Sequence, residues 1–214
     1  ESETTLYSHL FLGQTADFEK AVVKVDSSYP WEGKVTYQVK AKMKDAFELA
    51  IHIPSHIRMD TLCVTVNGEK TDAASCIKDG YLYLKQNWGE NDVIELTFDL
   101  PVRKIYANTN VREDEGCVAL MRGPVVYCFE GVDNGECIQA LRIPREIIAE
   151  TELCKEGVLA GNVLIHLPGY RMESSDALYS EERPKRTDVT LTAIPYYAWA
   201  NRGENQMRVW MPEE

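Results

Sequence analysis

Short apolar runs that alternate with polar residues, separated by turn residues, constrain the fold of this chain more than any other feature. Val35, Tyr37 and Val39 alternate with polar neighbours, which is the period of a strand with one buried face. Asn67-Gly68 follows another apolar run and is a strong hairpin signal. Strands with such turns between them recur roughly every 10–15 residues, which is typical of β-sandwiches. The sequence therefore predicts an all-β protein with no helix longer than a turn or two.

A change in the sequence pattern near Pro101, from alternating strands to a polar segment, indicates two domains. The chain has 214 residues, enough for two β domains of ordinary size. Residues 105–114 are polar and Asn-rich, and a second set of strand patterns begins after them. Residues 174–188 are polar and lack periodicity, which predicts an exposed loop.

The net charge argues against two classes of partner, and the cysteine pattern indicates the redox state of the chain's compartment. The net charge of −11 argues against binding to nucleic acid or to anionic membranes, because both need clustered Lys and Arg. No apolar run approaches the length of a membrane helix. The six cysteines show no metal or disulfide spacing, which favours free thiols in a reducing compartment.

Motifs for chemistry are weak or absent. No Gly-x-Ser-x-Gly elbow and no glycine-rich phosphate loop occurs. His52 and His56 have a zinc-like spacing, but Pro54 between them argues against one helical face. The 34 acidic residues contain many carboxylate pairs, and none can be selected as catalytic from the sequence.

Aromatic residues near turns are the remaining candidates. Their rings could pack in the sheets or stack on sugar faces while their polar tips form hydrogen bonds, and both interpretations stay open. Trp88 belongs to this group as well. The candidates for carbohydrate contact are Tyr29, Trp31, Tyr196, Tyr197 and Trp199.

Several motifs resemble one family of enzymes. Residues 118–130, VALMRGPVVYCFE, resemble a signature of the bacterial β-L-arabinofuranosidases, glycoside hydrolase family 127. Residues 191–203, LTAIPYYAWANRG, and residues 207–210 resemble that family's C-terminal ending. Four shorter motifs match upstream in the family's order, namely residues 6–11, 29–33, 51–54 and 66–68. The resemblance spans essentially the whole chain.

The resemblance implies an enzyme in which an (α/α)₆ barrel precedes two β-sandwich domains. The barrel of such enzymes holds zinc on cysteines and a glutamate. One zinc-bound cysteine is the nucleophile, since zinc keeps the sulfur as thiolate, and a separate glutamate is the acid/base. The matching region follows the family's Cys-Cys pair, so no catalytic, cofactor or metal residue is assigned here. We interpret Glu115-Gly116-Cys117 and Glu152-Leu153-Cys154 as chance matches to the family's Glu-x-Cys motif.

The family layout also predicts the domain boundaries. We expect two consecutive antiparallel, jelly-roll-like β-sandwiches, at residues 1–101 and 102–203. Residues 204–214 would supply a terminal strand that returns to the first sandwich.

The leading hypothesis is that the chain is not an enzyme. It would be an accessory part that supports or orients a catalytic barrel, with a carbohydrate-binding module as the alternative and an enzyme built on the sandwich as the third. The expected partner is its own N-terminal catalytic barrel; a homo-oligomer and arabinose-containing glycans are left open, and nucleic acid and membranes are excluded. The expected location is cytoplasmic, with a signal peptide on a preceding segment left open.

Overall fold

The computed structural model describes residues 1–173, 175 and 177–214. These residues form two compact units, Glu1–Leu100 and Pro101–Glu214. Strands make up most of the regular structure of both units, which confirms the predicted all-β class. No helix among the described residues is long and apolar enough to cross a membrane.

The first unit consists of two sheets and one short helix. Residues 1–100, all of them described, form ten strands: β1 (Thr5–Ser8), β2 (Gln14–Asp17), β3 (Ala21–Ser27), β4 (Lys34–Ala41), β5 (Phe47–His52), β6 (Cys63–Val66), β7 (Glu69–Thr71), β8 (Ile77–Lys78), β9 (Tyr81–Gln86) and β10 (Asp92–Thr97). Helix α1 (Ala73–Cys76) precedes β8. One sheet has the order β1-β5-β9-β8, and the other has the order β2-β3-β4-β10-β6-β7.

Alternating side chains of the two sheets share one core. Val35, Tyr37 and Val39 of β4 are buried, as their alternation predicts, and so are Leu49 and Ile51 of β5 in the other sheet. The Tyr37 hydroxyl lies 2.9 Å from the hydroxyl of Ser8, a residue of β1, and thereby links the two sheets. The first unit is therefore a β-sandwich.

The sequence predicts one local feature of this sandwich, a hairpin, but not another, a parallel strand pair. Asn67 and Gly68 both have positive φ and connect β6 to β7, which confirms the predicted hairpin. Strands β1 and β5 pair in parallel, whereas the antiparallel prediction holds for the other strand ladders of this unit. A parallel pair needs a long crossover, and three strands separate β1 from β5 along the chain.

The second unit contains nine strands in its described part. They are β11 (Val102–Tyr106), β12 (Cys117–Arg122), β13 (Val125–Glu130), β14 (Leu141–Arg142), β15 (Glu150–Leu153), β16 (Val163–Met172), β17 (Arg186–Pro195), β18 (Met207–Arg208) and β19 (Met211–Pro212). Helix α2 is Gly131–Asn134, and single 3₁₀ turns are Arg112–Asp114, Ile138–Ala140 and Tyr196–Ala198. The strands follow the path β11-β12-β13-β17-β16-β14; β15 adds to β16, β18 to β13 and β19 to β12.

This path closes over a single main core. Val118 and Leu120 from β12 and Leu141 from β14, near the other end of the path, belong to the same buried cluster. Tyr127 and Phe129 of β13 contribute to it from the middle of the path. Strands from both ends of the path therefore face each other across the core, as in a sandwich.

Two expectations about the second unit need correction. The terminal residues do not return to the first sandwich, because β18 pairs with β13 and β19 pairs with β12 of the second unit. The unit therefore extends beyond residue 203 to Glu214. The predicted loop at 174–188 is shorter than expected, since β17 already begins at Arg186 and pairs with Met172 of β16. Ser174 and Asp176, which fall in this prediction, lie outside the described residues.

Candidate functional site

An aromatic turn at residues 196–199 follows strand β17 in the second unit. Tyr196, Tyr197 and Trp199 are 45%, 60% and 41% exposed. The rings of Tyr196 and Trp199 stack nearly parallel, with centroids 6.3 Å apart and an interplanar angle of 11°. The Tyr197 hydroxyl donates a hydrogen bond to the side-chain oxygen of Asn162. The structure thus brings together three of the five aromatic residues that the sequence suggested for carbohydrate contact.

A buried carboxylate fixes the chain that follows the turn. Glu130 has no exposed side-chain surface. Its Oε1 accepts hydrogen bonds from the backbone N–H of Ala200, at 3.0 Å, and from Asn205, at 3.3 Å. Its Oε2 accepts hydrogen bonds from Arg202, and the same guanidinium contacts Asp133. We call these five residues the Glu130 cluster.

The pKa values of this cluster follow from opposed effects. Burial on its own would raise the pKa of Glu130. Hydrogen bonds from Arg202, Ala200 and Asn205, with the Arg202 charge, outweigh burial and lower that pKa below its ordinary value of 4.5. Hydrogen bonds to Asp133 and Glu130 raise the pKa of the Arg202 guanidinium. The carboxylate and the guanidinium are therefore both charged at neutral pH and hold each other in place.

A groove of about 570 Å³ lies beside the aromatic turn. Apolar and aromatic side chains form most of its lining, and charged residues form the rest. Its lining residues are Glu113, Asp114, Val126, Tyr196, Met207, Arg208, Val209 and Trp210. Because Tyr196 both lines the groove and stacks on Trp199, the groove and the turn form one continuous surface.

The other aromatic candidates lie in the first unit and are partly or fully buried. The Tyr29 ring meets Phe11 edge-on at 5.3 Å and stacks on His56 at 6.0 Å, and its hydroxyl lies 3.0 Å from His56 Nε2. Burial raises the pKa of Tyr29 to about 12. Trp31 is half-buried, and Trp88 is buried with its ring N–H donating to the Phe47 carbonyl at 2.9 Å. Sugar contact by Tyr29 and Trp31 stays a prediction, and Trp88 is a core residue.

The sequence patterns that resemble metal motifs do not converge. His52 lies against Tyr81, with ring centroids 5.2 Å apart, whereas His56 lies against Tyr29. Cys117 is buried on β12, and Cys154 donates its Sγ–H to the Glu156 carbonyl. Within the described ranges, no group of three or more His, Cys, Asp or Glu residues is arranged to hold a metal ion. The chain's described residues therefore do not fit a zinc site.

Sequence reasoning missed the groove and the Glu130 cluster. The local sequence around Val126, Met207 and Val209 is typical of ordinary strands. It does not indicate that these side chains are only partly buried and line a groove. Glu130 reads as the polar end of an apolar run. One signal was present, because an acidic residue directly after the buried run 127–129 has to find a partner if it is buried as well. The partner, Arg202, is far away in sequence and only the fold brings it near.

The fold places the chain in the class of proteins built from two consecutive β-sandwich domains. Models of two domains of one enzyme family match almost the whole chain: the β-L-arabinofuranosidase GH127 middle domain matches residues 5–100, and the glycoside hydrolase family 127 C-terminal domain matches residues 102–212. The chain therefore belongs to glycoside hydrolase family 127, as its middle and C-terminal domains.

Known relatives agree with this assignment. The chain is 36% identical over 217 residues to a non-reducing end β-L-arabinofuranosidase of Bifidobacterium longum subsp. longum, covering 96% of this chain and 32% of that protein. The crystal structure of a GH127 β-L-arabinofuranosidase from Geobacillus stearothermophilus T6 matches with a TM-score of 0.92 and 37% identity, over 100% of this chain and 34% of that one. A solved GH127 β-arabinofuranosidase matches with a TM-score of 0.87 and 28% identity, over 98% and 35% of the two chains. The chain spans about a third of the length of these relatives.

Proposed function

We propose that these two domains support the catalytic part of a β-L-arabinofuranosidase and carry no catalytic residue themselves. The observation that carries the proposal is the match of residues 5–100 and 102–212 to the middle and C-terminal domains of family 127, in that order. The relatives whose names state the activity are about three times as long. The catalytic groups, and any zinc that the complete protein uses, then lie outside residues 1–214.

The test compares three proteins: the product of the complete reading frame, the same product without residues 1–214, and this chain. Their hydrolysis of an aryl β-L-arabinofuranoside and their thermal unfolding are measured. We expect turnover by the complete product, none by this chain, and a loss of stability or turnover when residues 1–214 are removed. Turnover by this chain alone, or full stability and turnover without it, would refute the proposal.

Carbohydrate binding is a second candidate function, and one observation favours it. Tyr196, Tyr197 and Trp199 lie on an exposed turn, where aromatic rings can stack on sugar faces. Titration of the chain with arabinose-containing oligosaccharides, followed by tryptophan fluorescence, tests this candidate. A Trp199→Phe variant is the control, because a signal from sugar stacked on the turn should change in it. A flat titration at millimolar sugar eliminates the candidate.

We also propose a cytoplasmic location. All six cysteines are free, and Cys117 and Cys128 are buried thiols, which suits a reducing compartment. Fractionation of cells with an antibody against this chain tests the location.

A further inference from the structure

Strand β13 has buried side chains on both of its faces, and on one face the burial is incomplete. Tyr127 and Phe129 point into the main core of the second unit, so Val126, Cys128 and Glu130 occupy the opposite face. Cys128 is buried there in a small second cluster, and Glu130 is buried by its own cluster. Val126, two residues before Cys128 on the same face, is 36% exposed and lines the groove. On this face of β13, the side chain of Cys128 is therefore buried, whereas that of Val126 is partly exposed to solvent.

Half-buried side chains continue this uncovered region. Met207 and Val209 pack against the small cluster from one side and line the groove with the other. Trp210 is half-buried in the same groove. We call the surface made by six residues the aromatic face: Val126, Tyr196, Trp199, Met207, Val209 and Trp210.

A buried carboxylate fixes the backbone directly after the aromatic turn. Ala200 follows the aromatic turn with φ of +65°, a left-handed conformation that residues with a Cβ rarely adopt. The buried carboxylate of Glu130 accepts a hydrogen bond from the backbone N–H of Ala200. A charged group removed from water therefore holds this uncommon backbone conformation in place. Uncommon backbone conformations that the surroundings enforce occur preferentially where a surface binds something.

The composition of the aromatic face suits a protein surface better than a sugar. Trp, Tyr, Met and Arg are enriched in the centres of protein interfaces, and Trp199, Trp210, Tyr196, Met207 and the adjoining Arg208 are of these types. Sugar hydroxyls that face Val126, Met207 and Val209 in the groove would lose water without a hydrogen bond in return, because only the other lining residues have side chains that form one. The acidic residues Glu113 and Asp114 also line the groove, and protein interfaces combine an apolar centre with polar and charged residues.

We infer that the aromatic face is the surface on which the polypeptide preceding the middle domain packs in the complete protein. The inference rests on the proposed function, because it assigns the contact through which these domains support the catalytic part. The length of the relatives and the names of the matched domains favour this partner. About two thirds of each relative lies outside the region that this chain matches. Because the matched domains are named middle and C-terminal, we place the remaining polypeptide before them. A stable contact with so large a neighbour needs a buried apolar centre, and the aromatic face provides one.

The first test is oxidative footprinting by mass spectrometry, which needs no variant. The reactivities of Trp199, Trp210 and Met207 are compared in this chain and in the product of the complete reading frame. We expect all three to lose most of their reactivity in the complete product. Tyr179, a 93% exposed residue of the same unit, is the internal control and should react equally in both. Equal reactivity of Trp199 and Trp210 in the two proteins overturns the inference.

The second test measures association of this chain with the separately expressed preceding part. Trp199→Ala should weaken that association by about thirtyfold or more, the effect of removing a central aromatic anchor. Tyr179→Ala is the matched control and should change nothing. The thermal unfolding of both variants is recorded alone, so that a folding defect is separated from a docking defect.

The remaining outcomes each overturn the inference and leave the proposed function to its own test. Protection of Trp199 by arabinose-containing oligosaccharides, with no protection by the preceding part, makes the face a sugar site. Protection that grows with the concentration of this chain alone makes it a self-association surface. If removal of residues 1–214 lowers turnover while the footprint of the aromatic face stays unchanged, the proposed function stands and the assigned surface is wrong.

Discussion

Arg202 Nε donates a hydrogen bond of 3.2 Å to Oε2 of Glu130, a carboxylate with no exposed surface. A buried charge is tolerated only when it is paired and hydrogen-bonded, and this one meets both conditions. The pair also joins the end of β13 to the segment that follows the aromatic turn.

Replacing Glu130 should be strongly destabilising. We expect Glu130→Ala to lower the free energy of unfolding by about 3 kcal/mol, the lower end for a broken buried pair, because Asp133 still contacts Arg202. Urea unfolding of the variant and the parent chain measures the loss. Glu204→Ala, an exposed carboxylate in the same segment, is the control and should stay within about 0.5 kcal/mol. A similar loss in both variants would contradict a special role for Glu130.

The same carboxylate should make stability fall in acid. Its pKa is lowered in the folded protein, so its contribution is present above the ordinary value of 4.5 and is lost as the pH falls through the lower, folded pKa. The chain should therefore lose stability below about pH 4.5. Glu130→Gln, which cannot titrate, should lose less between pH 7 and pH 3.5 when both are measured by urea unfolding. Equal losses in the two proteins would assign the acid sensitivity to other carboxylates.

A second ion pair fastens the end of the chain to the first strand of its unit. Lys104 Nζ lies 2.7 Å from Glu213 Oε1 and also donates to the carbonyls of Pro144 and Arg145 at 2.6 Å. Lys104 is 9% exposed at its side chain. We expect Lys104→Met to cost about 1.5–3 kcal/mol, the worth of hydrogen bonds to a charged group. Thermal unfolding tests it against Lys185→Met, an exposed lysine whose replacement should have little effect.

Gly33 should not tolerate a side chain. A Cβ at this position would lie 1.7 Å from the carbonyl oxygen of Phe98, while the Phe98 N–H donates to the Gly33 carbonyl at 2.9 Å. Both contacts are with backbone, so neither partner can turn away. We expect Gly33→Ala to cost at least about 2 kcal/mol in chemical unfolding, in the range of overpacked cores. Gly13→Ala, where a Cβ meets nothing closer than 3.8 Å, should be nearly neutral, and a neutral Gly33→Ala would disprove the close approach.

The cysteines should differ widely in reactivity. Burial, with the nearby Glu130 charge, raises the pKa of Cys128 to about 12, so this thiol stays protonated at pH 8. Cys137 is exposed. A thiol reagent at pH 8 should therefore modify Cys137 in the folded chain and Cys128 only after unfolding, as followed by peptide mass spectrometry. Cys137→Ser should remove a fast phase that Cys128→Ala leaves intact, and fast modification of Cys128 would contradict the burial.

The sequence predicts what local rules determine. Alternation gives strands such as β4, and Asn67-Gly68 gives a hairpin, because side-chain period and turn conformation depend on neighbours in sequence. The pairing of β1 with β5, the pairing of β19 with β12 and the contact of Glu130 with Arg202 depend on residues far apart along the chain. For the candidate site, the exposed aromatic turn was predictable. The groove beside it was not, because burial of one strand face is a property of what the fold places above it.

The pairing of β19 with β12 has a consequence for biosynthesis. Strand β12 leaves the ribosome early in the second unit, yet its partner residues, Met211 and Pro212, are translated only after nearly all of that unit. The first unit can complete both of its sheets as soon as Leu100 has emerged, since all of their strands lie before it. Strands β11 and β13 can pair with β12 early, but Cys117 and Val118 lack their β19 partners until the end of translation, and unpaired strand backbone is prone to associate with other nascent chains. In a producing cell, misassembly should therefore begin in the second unit while the first is already folded.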